Sequence, residues 1–177
     1  MGVGLASIPV TDLTHFRFYE DDAANPEDCT AIDAIDTNIT RARGIANSFM
    51  VRLCIQNGTA ATYSGAVTLK YRRNAGTWYT VGATTEVLMT DGTPTDGDGS
   101  GASSLLGGTG TYVEGYYDED DAITPSITVP ASGNTEVQFC VYLSAGDLIA
   151  SDVIEFWYDT PASDSDPPTV YPTVTAS

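Results

Sequence analysis

The sequence predicts an all-β protein, a single antiparallel β-sandwich, and three observations carry that prediction. Apolar and polar residues alternate at Val51-Leu53-Ile55 and at Val137-Phe139-Val141-Leu143, the period-two pattern of a strand with one buried face. Val67 to Arg73 and Thr77 to Val81 repeat the alternation on either side of Asn74-Ala75-Gly76, which is the sequence form of a β-hairpin. No segment sustains a long helical period.

A chain of 177 residues suits one domain with an ordinary core. Residues 1–12, rich in small side chains, read as an N-terminal arm that orders against something else, and residues 13–177 as the β-sandwich domain. From Thr14, His15-Phe16-Arg17-Phe18-Tyr19 alternates as a first strand and ends in the acidic run Glu20 to Asp28, a loop by its charge and by Pro26. Cys29 to Thr40 spaces Ile32, Ile35 and Ile39 like a helix turn, but the interleaved Asp33, Asp36, Thr37 and Asn38 favour extended or short-helical structure. Strands follow at about Ser48 to Asn57, Gly65 to Arg73 and Thr77 to Val81, with a short one at Glu86 to Met89.

Asp91 to Gly110 is almost entirely Gly, Asp, Ser and Thr apart from Leu105 and Leu106. So little apolar surface offsets ordering entropy poorly, so this stretch is expected to be a long exposed loop. Beyond it lie Thr111 to Tyr117, the acidic run Asp118 to Asp121, and an edge segment with Ile123, Ile127 and Val129 between Pro125 and Pro130. Thr135 to Ser144 is the strongest late strand, and Val153 to Tyr158 is expected beside it. Val170, Tyr171 and Val174 mark a terminal strand after the Pro- and Asp-rich break at Pro161 to Pro168.

Seven basic residues against 24 acidic ones give a formal charge of −17. Phosphate binding depends on clustered Lys and Arg, so nucleic acid is not an expected partner, and the same charge repels anionic lipid, so a membrane is not expected either. No stretch approaches the roughly 20 apolar residues of a membrane-spanning helix. The negative surface is read mainly as a solubility device, with a cationic partner or Ca²⁺ as the sharper alternative.

Cys29, Cys54 and Cys140 cannot all pair within one chain. Cys54 shares a strand face with Arg52 and Gln56, and Cys140 with Gln138 and Tyr142; a bridge between them needs neighbouring strands in register, which spacing does not decide. Free, half-buried thiols are the leading reading. His15 is the sole histidine, so zinc and a Ser-His hydrolase are both disfavoured, and no pair among the 24 acids is marked out for glycoside hydrolysis.

Three sets of residues are candidate contacts. Asp96, Asp98 and Ser100, followed by Gly101, copy the opening of an EF-hand calcium loop, but Gly107 stands where a bidentate Glu is required, so a Ca²⁺ cofactor is a minor reading and no cofactor the main one. Tyr112, Tyr116 and Tyr117 could stack on sugar or a partner, as could Trp78, Tyr79, Trp157 and Tyr158, although aromatics in strands are as often cross-strand packing. Val3, Leu5, Ile8 and Val10 give the arm an apolar contact set. Asn38-Ile39-Thr40 and Asn57-Gly58-Thr59 fit the glycosylation sequon, which is common by chance.

Several segments resemble β-sandwich modules of tailed-bacteriophage virion proteins. They are Thr14 to Asp22, an Arg-aromatic strand followed by Asp-Asp; Phe49 to Asn57; the hairpin Leu69-Lys70-Tyr71-Arg72-Arg73 with Gly76-Thr77-Trp78; and the closing Tyr171-Pro172-Thr173-Val174. The likeness spans most of residues 14–175, and the chain departs from it in Cys54, Cys140 and its acidic loops. The resemblance implies an immunoglobulin-like, non-enzymatic virion component: a capsid decoration or cement protein that binds the major capsid protein or other virion proteins. Homo-oligomeric assembly on the capsid surface is expected, with the arm residues as contacts. A carbohydrate-binding or adhesin module of a tail or head fibre is the rival reading.

Overall fold

The computed structural model describes residues 11–119, 122–124, 126–160 and 171–177. Among these, the strands in chain order are β1 (Thr11–Glu20), β2 (Ile39–Arg41), β3 (Phe49–Asn57), β4 (Tyr63–Gly65), β5 (Thr68–Arg73), β6 (Tyr79–Thr80), β7 (Val87–Met89), β8 (Tyr117–Asp118), β9 (Ile127–Val129), β10 (Asn134–Leu143), β11 (Val153–Asp159) and β12 (Thr173–Ala176). A single 3₁₀ turn, Ile45–Asn47, is the one helical element among the described residues. The protein is all-β, as the alternation predicts.

The first sheet runs β1-β3-β10-β7, with β8 beside β10; the second runs β2-β12-β11-β5-β6; and β4 pairs with β9 alone. Both large sheets are mixed rather than purely antiparallel, because β8 lies parallel to β10 and β2 parallel to β12. Register follows the hydrophobic pattern. Val51 faces Phe139 and Leu53 faces Val137 across β3 and β10, so their apolar side chains share one face. Phe16, Phe18, Phe49, Val51, Leu53, Val137, Phe139 and Val141 of the first sheet pack in one cluster with Leu69, Tyr71, Ile154, Phe156, Tyr158 and Val174 of the second. The two sheets therefore meet face to face in a sandwich-like arrangement.

Several sequence expectations change. The first strand begins at Thr11 rather than Thr14, with Thr11 opposite Asn57, and a bulge between Leu13 and His15 resets its register. Gly65 to Arg73 is two strands in different sheets, β4 and β5, not one. The expected neighbours Thr135 to Ser144 and Val153 to Tyr158 part company: β10 is central in the first sheet, and β11 crosses to the second, between β12 and β5. Each can then bury one apolar face in the shared core, which side-by-side pairing would also allow; alternation alone does not choose between them.

The hairpin turn holds, although β6 is only two residues long. Positive φ falls on Asn74 (49°) and Ala75 (57°), and Gly76 N–H closes the turn on Arg73 O at 2.8 Å, the arrangement of a type I′ turn. Glycine is required at 76 for a different reason: a Cβ there would lie 2.9 Å from Arg73 O. The turn is tied to β11 by Asn74, which donates to Asp152 Oδ1 (2.8 Å) and accepts from Val153 N–H (2.9 Å).

Candidate functional site: the two outer sheet faces

On the outer face of the first sheet, β3 presents Met50, Arg52, Cys54 and Gln56 opposite Cys140, Gln138, Glu136 and Asn134 of β10. Polar residues at alternate strand positions normally face water, yet Arg52, Glu136, Gln138 and Asn134 are all 0% exposed. Two segments cover them. Residues 20–31 lie against one side, and residues 91–119 form a flap over the rest.

The flap contradicts the expectation of an exposed loop at Asp91 to Gly110. Ser100 and Leu106 are buried, and the chain is stitched to itself by Ser100 N–H to Gly115 O (3.0 Å), Tyr117 N–H to Asp98 O (2.8 Å) and Tyr112 O–H to Gly101 O (2.8 Å). Gly115 permits the close approach to β10, since a Cβ would collide with the Glu136 carbonyl. Hydrogen bonds to side chains of the sheet supply the order that apolar residues do not. Glu136 accepts from the Ser104 hydroxyl (2.6 Å) and from the Leu106 (2.9 Å) and Leu105 (3.2 Å) N–H groups, while Gln56 accepts from Thr109 N–H (3.0 Å) and donates to Thr109 O (3.1 Å).

Beneath the flap sits a buried ion pair. Arg52 Nε lies 3.6 Å from Glu136 Oε2, with both side chains at 0% exposure, and Arg52 Nη2 donates to Ser100 O. The guanidinium also lies over the Tyr19 ring at 5.6 Å, which Arg17 approaches at 5.7 Å. Arg52 Nη1 and Gln138 Oε1 have no hydrogen-bond partner among the described residues. Next to this layer, Tyr19, Cys29, Met50, Tyr117 and Cys140 form a small second apolar cluster.

All three cysteines are free and buried, Cys54 and Cys140 completely, rather than half-buried. β3 and β10 are neighbours, but Cys54 pairs with Glu136 and Cys140 with Met50, so the register keeps the two thiols apart. Burial pushes the Cys54 thiol up to about 11 and the Cys140 thiol up to about 12. Burial thus disfavours in both the thiolate form that a nucleophile needs.

The proposed contact residues are dispersed. Tyr117 is fully buried and donates to Glu119 (3.0 Å), so it presents no ring to solvent; Tyr112 and Tyr116 are half-buried, with the Tyr112 hydroxyl bonded into the flap. Ser100 is buried with its hydroxyl accepting from Gly115 N–H (3.1 Å), Asp98 accepts from Thr95 N–H (3.0 Å), and Asp96 accepts from Glu119 N–H (3.4 Å). Each serves a separate local contact, and among the described residues no three His, Cys, Asp or Glu side chains are placed to hold a metal. Val3, Leu5, Ile8 and Val10 lie outside the described residues.

The outer face of the second sheet is unlike this. Arg72 on β5 lies 4.7 Å from the ring centres of both Trp78 and Tyr171, and its Nε is 2.6 Å from Glu155 Oε2 of β11. Trp157 continues the aromatic row at 5.6 Å from Trp78. Lys70 pairs with Asp159 at 3.8 Å on the same face. These aromatic side chains are half-buried, and the charges balance locally.

Every Lys and Arg side chain has a polar partner, though not always a carboxylate. Arg41 binds Glu20 (2.6 Å), Arg73 binds Glu86 (3.0 Å) and Asp152 (2.9 Å), and Arg17 and Arg43 donate to main-chain carbonyls at 2.6 Å. Many of the remaining described carboxylates lie on the 20–31 and 91–119 cover, some of them exposed, as Glu27 and Asp28 are, and others accepting main-chain N–H groups, as Asp22 and Glu119 do. His15 contacts Asp36 at 2.8 Å on an exposed edge.

A groove of about 480 Å³ opens between the hairpin turn, the Thr84 to Glu86 segment and Asp147. No helix among the described residues is long and apolar enough to cross a membrane. No protein-family model, curated protein or solved structure matches this chain.

Proposed function

We propose that this chain is a non-enzymatic structural protein of a phage virion, a capsid decoration or cement protein with an immunoglobulin-like β-sandwich that binds the assembled shell. The observation that carries the reading is one-sidedness. One outer sheet face is sealed under an acidic cover, and the other carries a charge-balanced row of Trp78, Arg72, Tyr171 and Trp157. Aromatic and arginine side chains on a flat face are favoured interface material, because they bury large area with few rotors to freeze. The acidic side then faces water and keeps neighbouring particles apart. Shell binding through many such faces adds modest contacts into a large resistance to opening. The crossing of β11 from one sheet to the other supports the immunoglobulin-like topology. On the sequence alone, Val3, Leu5, Ile8 and Val10 add an apolar arm to the contact.

Co-sedimentation with stripped phage capsids tests this. Saturable, stoichiometric binding that Trp157→Ala weakens is the expected result. Absence of binding, or binding untouched by Trp157→Ala and by deletion of residues 1–10, would sink it.

A further inference from the structure

Adjacent residues Trp78 and Tyr79 serve opposite sides of the second sheet. Trp78 joins the outer aromatic row, whereas Tyr79 pairs with Tyr71 across β5 and β6 and tilts against its ring at 6.0 Å. Tyr79 is 42% exposed, and it walls the groove together with Arg73, Thr85, Glu86 and Asp147.

The groove's charged groups are already bonded within the protein. Arg73 Nη1 donates to Glu86 Oε1 (3.0 Å) and to Asp147 O (3.4 Å), and its Nη2 to Asp152 Oδ2 (2.9 Å). The other Glu86 oxygen accepts from the Tyr71 hydroxyl at 3.0 Å, and Tyr71 also bonds Thr84. A guanidinium has five N–H groups and a carboxylate about four acceptor positions, so each retains capacity for a ligand after these bonds are made. Little side-chain entropy is left to lose on binding.

We infer that this groove binds a neutral saccharide. A partly exposed tyrosine ring beside a preorganised fan of donors and acceptors matches the two surfaces of a sugar, its C–H face and its hydroxyl rim. The volume of about 480 Å³ falls within the roughly 300–1,000 Å³ of small-ligand sites. Charge selects against acidic sugars: Arg73 is neutralised by Glu86 and Asp152, Asp147 adds a negative charge, and the whole chain carries −17. This site is separate from the Trp78 and Trp157 row, so it stands independently of shell binding.

The test is an array of neutral, amino and acidic oligosaccharides, followed by titration of the strongest ligand into the full chain. Neutral glycans are expected to bind; Tyr79→Ala weakens the ligand at least about tenfold, or 1.4 kcal/mol. Tyr79→Phe keeps the ring and retains most of the affinity, and Ile35→Ala, at an exposed position in the loop that lies against β1 of the other sheet, leaves it unchanged. Thermal melts confirm that each variant is folded. No glycan bound at millimolar concentration, a preference for acidic or cationic ligands, or affinity indifferent to Tyr79→Ala would each overturn the inference. Loss on Trp157→Ala without loss on Tyr79→Ala would also overturn it, by moving the sugar to the outer row.

Discussion

The two outer sheet faces are built from similar materials and used in opposite ways. Each carries an arginine paired with a glutamate and stacked on tyrosine. On the first sheet, Arg52 and Glu136 are wholly buried beneath a flap; on the second, Arg72 and Glu155 retain side-chain exposures of 21% and 19%. Water makes the difference. A buried pair is costly to break because its surviving member keeps a desolvated charge, whereas a partly exposed pair is rehydrated when broken. The first face is therefore structural, holding the flap in one position, and the second is free to exchange its solvent contacts for a partner's.

Glu136→Ala should be the most damaging change. It strands Arg52 and removes the acceptor for Ser104, Leu105 and Leu106, at a cost of about 3–5 kcal/mol in denaturant unfolding. Replacing both partners, as Arg52→Met with Glu136→Leu, should recover most of that loss; a double variant as weak as Glu136→Ala would show that flap bonds, not the ion pair, dominate. Gly115→Ala comes next. Its new methyl meets the Glu136 carbonyl, and lifting the flap should cost about 1–3 kcal/mol. The same lifting should expose Cys54 and Cys140 to a thiol reagent, whose reaction with the native chain at pH 8 is expected to be slow because both are buried. Fast native labelling would mean that the flap opens readily.

The second sheet offers a smaller, titratable effect at Asp152. Burial alone would raise this carboxyl, but the Ile149 N–H, the Asn74 amide and the Arg73 guanidinium together hold it below its ordinary 3.8. A depressed carboxyl contributes stability above its unfolded value and loses it as pH falls through the folded one. The gap between wild type and Asp152→Asn should thus be full at neutral pH and shrink below about 3.8 in acid melts. A pH-independent gap would assign the effect to packing. Arg72→Ala should be mildest, about 1 kcal/mol or less, because its ion pair and ring contacts are partly solvated. An effect rivalling Glu136→Ala would erase the contrast between the faces.

Much of the strand set was legible because β5 and β11 bury alternate residues, and β3 and β10, buried on both faces, still alternate apolar core-facing residues with mostly polar ones, which writes itself into sequence at period two. The candidate sites were less so. For Arg52, Glu136 and Gln138, alternation says only that polar residues point away from the core, not whether something else covers them. The signal available was the coincidence of a polar strand face with a long Gly- and Ser-rich segment able to supply main-chain partners. Tyr117 read as a contact residue because its type suits surfaces and cores alike. Tyr79 stands out in sequence only as an aromatic, because its groove is assembled from residues 73 to 147 and has no local signature.

By itself the sequence determined that this chain is all-β, where most strands run, and that its surface is strongly acidic. Those properties are local: they follow from period-two patterning, turn residues and a sum of charges. Only the tertiary structure decided that β11 leaves β10 for the other sheet, that the flap closes over a buried ion pair, and that the thiols stay apart. Each of these depends on which distant segments meet, and a strand's own pattern specifies that it has a face to bury without specifying against what.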